Sequence, residues 1–307
     1  TAQNSGKEAI VVGAGPAGLA AALMLVRRGW FVSVVEKSEN PARYDPGRGF
    51  MYLIDGRGQK CLQQLGPELL SKLQHASVAM AETKIGVLSP KGLAERVNPM
   101  KDATRNSYWI PRHIFVQLLL EEAQRDDHIR LVSSAQVEKL SFDEASQQFS
   151  ATGFADSDNF SLHGQLLVGA DGIRSMVREH MERWDGDQGR FELKQLDSPA
   201  AGLRYKVLTL PNNFVVETAE GPKTFQSDVW YAVRGAARKG KQKLGLIPVL
   251  PDHGTRTANL ITYAEDAVWD ANDADSFLAY AEQQWPHFPV RELVSREELS
   301  RFASDRG

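Results

Sequence analysis

The stretch AIVVGAGPAGLAAALMLVRRGWFVSVVE, Ala9 to Glu36, decides the fold. It reads as strand, glycine turn, helix, strand. Ile10, Val11 and Val12 are a short β-branched run, as found in strands buried on both faces of a parallel sheet. Gly13, Gly15 and Gly18 then spell G-x-G-x-x-G where a helix opens, with Pro16 and Ala17 inside the turn. The three glycines serve different ends, namely a tight turn, close approach of backbone to a pyrophosphate, and close packing of helix on strand. Leu19, Ala22, Leu23 and Val26 recur at helical spacing, giving the helix one apolar face. Arg27 and Arg28 suit its C-terminal dipole, and Gly29 follows as the stop. Phe31 to Val35 make the next strand, closed by Glu36, where a carboxylate can accept hydrogen bonds from an adenosine ribose. The stretch predicts a dinucleotide-binding unit. By itself it leaves FAD and a nicotinamide dinucleotide both open.

Composition narrows the rest. The chain has 307 residues, enough for about two domains. Its 42% apolar and 24% charged content are those of a soluble globular protein. A net charge of −3 argues against nucleic acid or an anionic membrane as a partner held by overall charge. No apolar run is long enough to span a bilayer, the longest being Leu19 to Val26. The single cysteine, Cys61, excludes an internal disulfide framework and fits a reducing compartment. It reads as a packed helix residue more readily than as a nucleophile. Residue 1 is Thr rather than Met, which reads as trimming or processing. The expected compartment is cytoplasmic, or plastid if a transit peptide was removed.

Beyond Glu36 and Lys37 comes a long Pro-, Gly- and charge-rich loop. Arg43, Arg48 and Arg57 fall there, near the sheet edge where open α/β folds bind ligands; a solvated basic loop is the plainer alternative. Gln59 to Gln74 reads as two short helices broken at Gly66-Pro67. Residues 82–100 carry two β-like runs around Ser89-Pro90-Lys91-Gly92, a hairpin expected to join a second sheet. Pro111 is placed at the first position of a helix whose apolar side is Phe115, Leu118, Leu119 and Ala123. Ile129–Val132 reads as a strand. Val137–Leu140, Gln148–Thr152 and Phe160–His163 read as an antiparallel meander, and Leu166–Val168 as a last buried strand. Strands are expected again at Leu203–Leu210, Asp228–Val233, Lys243–Val249 and Thr257–Tyr263. Asp273 caps a helix ending at Pro286, and Val290–Phe302 reads as further helix. The basic run Arg234, Arg238, Lys239, Lys241 and Lys243 suits a solvated hairpin tip, or an acidic ligand or NADPH phosphate. The seven histidines show no metal-ligand spacing.

A second fingerprint, Leu167-Val168-Gly169-Ala170-Asp171-Gly172-Ile173-Arg174-Ser175 with Val177-Arg178 behind it, repeats the strand, glycine turn and helix. Gly169 and Gly172 let backbone approach a ligand, and Asp171 can contact a polar group of a dinucleotide or cap the helix. With the first fingerprint, this GADG-x-x-S-x-VR segment resembles the FAD-dependent aromatic hydroxylases, the class A flavoprotein monooxygenases. Within them it is most similar to kynurenine 3-monooxygenase-like proteins. That narrower resemblance is carried by Arg48-Gly49-Phe50-Met51-Tyr52-Leu53-Ile54-Asp55-Gly56-Arg57-Gly58, by Tyr108-Trp109-Ile110-Pro111-Arg112 and by Leu203-Arg204-Tyr205-Lys206.

The resemblance implies an α/β fold with an α+β second domain, a Rossmann-like FAD domain roofed by a second mixed sheet. Residues 1–80 and 101–185 would form the FAD domain, and residues 81–100 and 186–307 the substrate sheet. It implies that Gly13, Gly15 and Gly18 hold the FAD pyrophosphate and Glu36 the adenosine ribose. Arg112 would reach the phosphates or ribityl chain, Arg57 the ribityl end, and Asp171 with Gly172 the FAD, Asp171 also bearing on NADPH. NAD(P)H would be co-substrate, and O₂ and an aromatic or related small molecule the reactants, through a flavin C4a-hydroperoxide. No residue stands out as an acid–base catalyst, no metal is implied, and protein partners are unknown. Two departures qualify this. Where kynurenine hydroxylases clamp the substrate carboxylate with Arg and Tyr, this chain has Lys84 (or Ile85) and Val97, and Lys84 is a point charge rather than a fork. The family's third fingerprint, GD followed by a proline, is absent, so a fragment of a longer protein is expected over a degenerate flavin fold. A reductase or epoxidase of the superfamily, or a non-catalytic flavin-fold subunit, are the alternatives. An apolar lining around residues 82–97 and 203–250 would favour the reductase or epoxidase.

Overall fold

The β-branched runs pair as a four-stranded parallel sheet in a computed structural model that describes residues 6–82, 84–96, 106–156, 158–194, 196–198, 200, 202–236 and 243–305. The sheet order is Leu166–Gly169, Lys7–Val12, Trp30–Val35, Ile129–Val132. The last of these strands in the chain therefore returns to lie beside the first. Val12 pairs with Gly169 on one side and Val35 on the other. That reversal is the switch point where open α/β sheets bind ligands beyond their carboxyl ends. Both glycine turns leave from it.

Two compact units follow. The first comprises Thr1–Arg43, Lys60–Lys72 and His113–Leu196, and the second comprises Tyr44–Gln59, Leu73–Arg112 and Asp197–Gly307. In the first, the helix Pro16–Val26 buries Gly18, Leu19, Ala22 and Leu23. Arg27 caps the helix Gly56–Leu65 through the carbonyls of Gln64 and Leu65. The meander forms as expected, over Ala135–Asp143, Gln148–Ala155 and Asp158–Gly164. Its Val137, Leu140, Ala151 and Leu162 share a core with Ile10, Val12, Val35 and Val177. Cys61 is a half-buried free thiol on a helix.

In the second unit a six-stranded sheet runs Leu203–Leu210, Arg256–Tyr263, Lys243–Leu246, Trp230–Arg234, Ile85–Ser89, Gly92–Arg96. The hairpin at Ser89–Gly92 thus joins a second sheet, as its sequence predicts. One face carries the core: Leu208, Tyr231, Val233, Leu244 and Leu260 pack with Phe277, Trp285 and Phe302 from the C-terminal helices. Arg256 is fully buried among them. Its guanidinium donates to the carbonyls of Gln226 (2.9 Å), Ile247 (3.1 Å), Leu246 (3.2 Å) and Val229, and stacks on the Tyr231 ring. Burial lowers its pKa to about 10, so it stays charged at neutral pH.

The strand Leu203–Leu210 is a sheet edge, and the helix Arg296–Ser304 covers it through side chains. Glu298 Oε1 accepts from the Thr209 N–H (2.7 Å), and Arg301 Nη2 donates to the Val207 carbonyl (2.7 Å). The two side chains bond each other at 2.6 Å. Truncating Glu298 to alanine strands a strand N–H and a guanidinium together. The expected cost is about 1–3 kcal/mol, read from urea unfolding.

Asp273 caps Ala274–Gln284 in a reciprocal box with Ser276. The Ser276 N–H holds the Asp273 carboxyl below its ordinary 3.8. A depressed carboxyl contributes above its unfolded value and loses that contribution as pH falls through the folded one. Protection of the amides in this first turn, taken relative to the intrinsic exchange rate at each pH, should therefore fall below about pH 4 in the wild type. In Asp273→Ala it should be low at every pH.

Several elements differ from the sequence reading. Pro111 ends the strand Tyr108–Pro111, paired with Met51, and the helix starts at Arg112. Its buried stripe is Val116, Leu119, Leu120 and Ala123; of the residues expected there, Leu119 and Ala123 are buried, whereas Phe115 and Leu118 are half-buried. Leu166–Val168 is only half-buried. Val290–Phe302 breaks into Val290–Leu293 and Arg296–Ser304, because Ser295 caps the second piece. A hairpin of Phe214–Thr218 and Gly221–Phe225 was not anticipated. Val97, Arg238, Lys239 and Lys241 lie outside the described residues. Among the described residues no helix is long and apolar enough to cross a membrane.

Candidate functional site

In the first unit the two glycine turns meet at the carboxyl edge of the parallel sheet. Gly13 N–H donates to Val35 O, and Ala170 N–H to Val12 O, both at 2.8 Å. Gly13 takes φ +101°, and a Cβ there would fall 2.4 Å from the Ala170 carbonyl oxygen. A Cβ on Gly18 would fall 1.8 Å from the Gly13 oxygen and 3.2 Å from the Ala170 methyl. These two glycines let the first turn, its helix and the second turn close on one another. Gly15 is different. A Cβ there would meet nothing within 4 Å, so it keeps clear a space outside the fold.

That space faces the start of a helix. Gly15 is the N-cap and supplies no side-chain cap, and Pro16 follows with no N–H of its own. The N–H groups of Ala17 and Gly18 open the helix there, where the dipole favours an anion.

Glu36 is bound across the same edge. One carboxylate oxygen accepts from Ala14 N–H at 2.8 Å and the other from Ser38 N–H at 2.9 Å. Its backbone N–H donates to Val132 O of the strand Ile129–Val132, and its carbonyl accepts from Ala135 N–H, the first residue of the meander. Two backbone bonds leave a carboxylate about two further lone-pair positions. Lys37 beside it is exposed.

Asp171 is occupied locally. It accepts from Ser175 Oγ (2.6 Å), Met176 N–H (2.6 Å) and Val177 N–H (3.3 Å). Ser175, not Asp171, is the N-cap of Met176–Asp185, accepting from Arg178 N–H. The carboxylate braces the turn between strand and helix. Gly172 beside it takes φ +86° and is exposed.

Next to this edge a cavity of about 580 Å³ is lined by Asn40, Arg43, Gln117, Gln124, Leu131 and Ser133, among others. It begins a few residues on from Glu36. Gln117 and Gln124 escaped the sequence reading, although their seven-residue spacing on a helix puts them on one face. Ser133 follows a parallel strand and could have been found from that alone.

The remaining residues proposed from sequence belong to the second unit. Arg57 is 95% exposed at its side chain and paired with Asp55 at 2.9 Å. Arg112 is half-buried and donates its N–H to Phe50 O at 3.1 Å. Arg48 ends a short 3₁₀ turn, and its side chain is outside the described residues. Lys84 is exposed, its carbonyl accepting the Trp230 N–H. It stands just before the Ile85–Ser89 strand. Among the described residues there is no cluster of metal-ligating side chains.

The sequence model of the FAD binding domain family matches residues 7–217. Kynurenine 3-monooxygenase of Xanthomonas axonopodis pv. citri is 26% identical over 226 residues, 66% of this chain and 48% of that one. The chain spans about half the length of the curated relatives it matches. Among solved structures, the flavin-dependent monooxygenase PieE in complex with FAD and substrate is similar with a TM-score of 0.62. The identity is 18%, over 90% of this chain and 46% of that one. A probable FAD-dependent monooxygenase from Pseudomonas aeruginosa, pqsL, has a TM-score of 0.58 and 18% identity, over 98% of this chain and 71% of that one. At such identities the solved structures attest the fold.

Proposed function

This chain belongs to the FAD binding domain family, and on that premise we propose that it is the FAD-holding part of a flavin-dependent monooxygenase acting on an aromatic or related small molecule. The observation that carries the reading is the open space kept by Gly15 before an uncapped helix start, with the Glu36 carboxylate at the same sheet edge. The residues fit the cofactor's adenosine diphosphate half. Ala17 and Gly18 N–H groups would receive the pyrophosphate, Glu36 the ribose hydroxyls, and the cavity at Asn40 and Ser133 the adenine. Arg48, Arg57 and Arg112 are the proposed partners of the phosphates and ribityl chain, and Asp171 with Gly172 of the flavin end. The domain split proposed for this function is FAD binding by residues 1–80 and 101–185 and substrate binding by the rest.

When bound, FAD supplies the redox chemistry, taking hydride from NAD(P)H and activating O₂ for transfer to substrate. The chain's own residues have the other duties. Helix N–H groups neutralise phosphate charge, Glu36 fixes the ribose, and the turn braced by Asp171 holds its backbone rigid at the cofactor. NAD(P)H as electron donor is part of the proposal and fits the family.

The test is titration of FAD with the purified protein, followed by flavin fluorescence. Saturable quenching is expected, weakened about tenfold or more in Glu36→Ala, which removes the ribose acceptor and the tie to Ala14. Absence of FAD binding by the wild type would refute the proposal. NADPH oxidation stimulated by aromatic ligands would then separate a hydroxylase from a flavin-binding subunit.

A further inference from the structure

Several of the large apolar side chains open to solvent gather in one part of the first unit. Trp184 is 41% exposed, Phe191 41%, Leu193 65% and Leu196 83%. Trp184 is in the last turn of the helix Met176–Asp185, and the other three lie on the irregular segment that follows. Single exposed apolar residues are ordinary, whereas a group of them marks a surface that binds something. This group is held in place. The Trp184 ring packs on Phe149 (5.8 Å between centroids), and Phe149 on Phe142 of the meander (4.7 Å). Gly186 and Gly189, both at positive φ, turn the chain back, and Arg190 ties it to the helix. Its N–H donates to Asp185 Oδ2 at 2.7 Å, and its guanidinium bonds the other carboxylate oxygen.

This reversal encloses a cavity of about 440 Å³, lined by Glu182, Asp185, Gly186, Gly189, Glu192 and Leu193. The two glycines and Leu193 give it a wall without polar side chains. The Asp185 side chain is only 1% exposed, and its charge is spent on Arg190. Glu182 is half-buried and Glu192 exposed, and among the described residues neither has a cationic partner. No lining residue is a cation, and Arg183 nearby turns back along its own helix, its Nε donating to Glu179 O at 3.2 Å. The cavity thus sets two uncompensated carboxylates beside an apolar wall. A long aliphatic stem ending in a positive charge suits both parts. An acidic or neutral occupant would desolvate Glu182 and Glu192 and give them nothing in return.

We propose that this surface docks a basic amphipathic segment of a partner protein. One lysine or arginine of the segment enters the cavity, and its apolar neighbours cover Phe191, Leu193 and Leu196. Docking there leaves the proposed cofactor edge clear. The turn braced by Asp171 opens the same helix, and the cavity lies at its other end, about 15 Å along the axis.

The test is calorimetric titration of the purified protein with an amphipathic helical peptide of leucine and lysine, beside its leucine–glutamate counterpart. Saturable binding of the lysine peptide is expected, at least about tenfold tighter than that of the glutamate peptide. Glu182→Lys combined with Glu192→Lys should weaken it about tenfold or more and let the glutamate peptide bind. Leu193→Asp should weaken the apolar part of the contact, again by about tenfold. FAD affinity should stay at its wild-type value in each variant. If the Glu182 variant does not fold, Glu192→Lys with Leu193→Asp, both at exposed positions, decides the point. The same charge reversal at Glu217 and Glu265, exposed in the second unit, should leave binding unchanged. No binding of the lysine peptide, equal binding of the two peptides, or an equal loss on reversal at Glu217 and Glu265 overturns the proposal. A wild-type dimer in sedimentation equilibrium that Leu193→Asp dissociates also overturns it, because a second copy then covers the patch.

Discussion

Gly18→Ala should abolish FAD binding and destabilise the first unit, whereas Gly15→Ala should leave stability unchanged and still impair the cofactor. A methyl on Gly18 would sit 1.8 Å from the Gly13 oxygen, a backbone atom that cannot swing away. Either the helix lifts from the sheet or the turn opens, and both displace the second turn at Ala170. The cost should be at least about 3 kcal/mol, the upper end of what overpacking exacts. FAD affinity should fall by about a hundredfold or more. Gly15 has φ −71° and ψ 179°, which alanine adopts freely, and nothing within 4 Å of its added methyl. Its stability should change by less than about 0.5 kcal/mol. The methyl would nonetheless occupy the space before the helix, and FAD affinity should drop by about tenfold or more. Thermal melts without cofactor, beside FAD titrations, separate the two. Equal losses of stability would disprove the division of labour between the glycines.

Arg256→Met should be the most damaging single change in the second unit. The guanidinium serves four backbone carbonyls, of Gln226 and Val229 in one turn and of Leu246 and Ile247 in a second segment. Among the described residues no carboxylate is hydrogen-bonded to it, although Asp228 acts on it through space. Methionine fills much of the volume and abandons every one of these acceptors. Each orphaned buried group costs about 1–3 kcal/mol, and even with relaxation the total should reach about 4 kcal/mol. That corresponds to a fall of about 10 °C in melting temperature for a unit of this size. Arg256→Lys keeps the charge but has a single ammonium and no planar fork. It should recover only part of the loss. A methionine variant melting within about 2 °C of the wild type would show that these carbonyls find other partners.

What could be read from sequence follows from how local each signal was. The Ala9–Glu36 unit was legible because strand, turn and helix are fixed by neighbours in sequence, and Gly13 and Gly18 are where side chains cannot fit. The Ser89–Gly92 hairpin was legible for the same reason. The helix Arg112–Ala123 was legible as a helix but not in its orientation, since Phe115, Val116, Leu118, Leu119 and Leu120 leave no single apolar stripe. The break before Arg296 had a signal that was passed over: Ser295 and Glu298 stand at N-cap spacing. The hairpin at Phe214–Phe225 was masked by Pro222, which argues against a strand until it is seen in a two-stranded ribbon. Arg256 was invisible because arginine is ordinarily a surface residue, and only tertiary assembly collects four carbonyls around it.

The ion pair of Glu298 and Arg301 on the strand Leu203–Leu210 bears on how this protein behaves when incompletely made or unfolded at one end. A free edge strand is a template on which another chain can polymerise. Here the backbone groups of Thr209 and Val207 are taken by side chains of the last described helix, so the sheet is terminated by a segment synthesised almost a hundred residues after the strand. Until that helix docks, Leu203–Leu210 is a sticky edge. A nascent chain halted before Arg296, or a variant in which the helix frays, should aggregate through this strand while the six-stranded sheet itself remains intact.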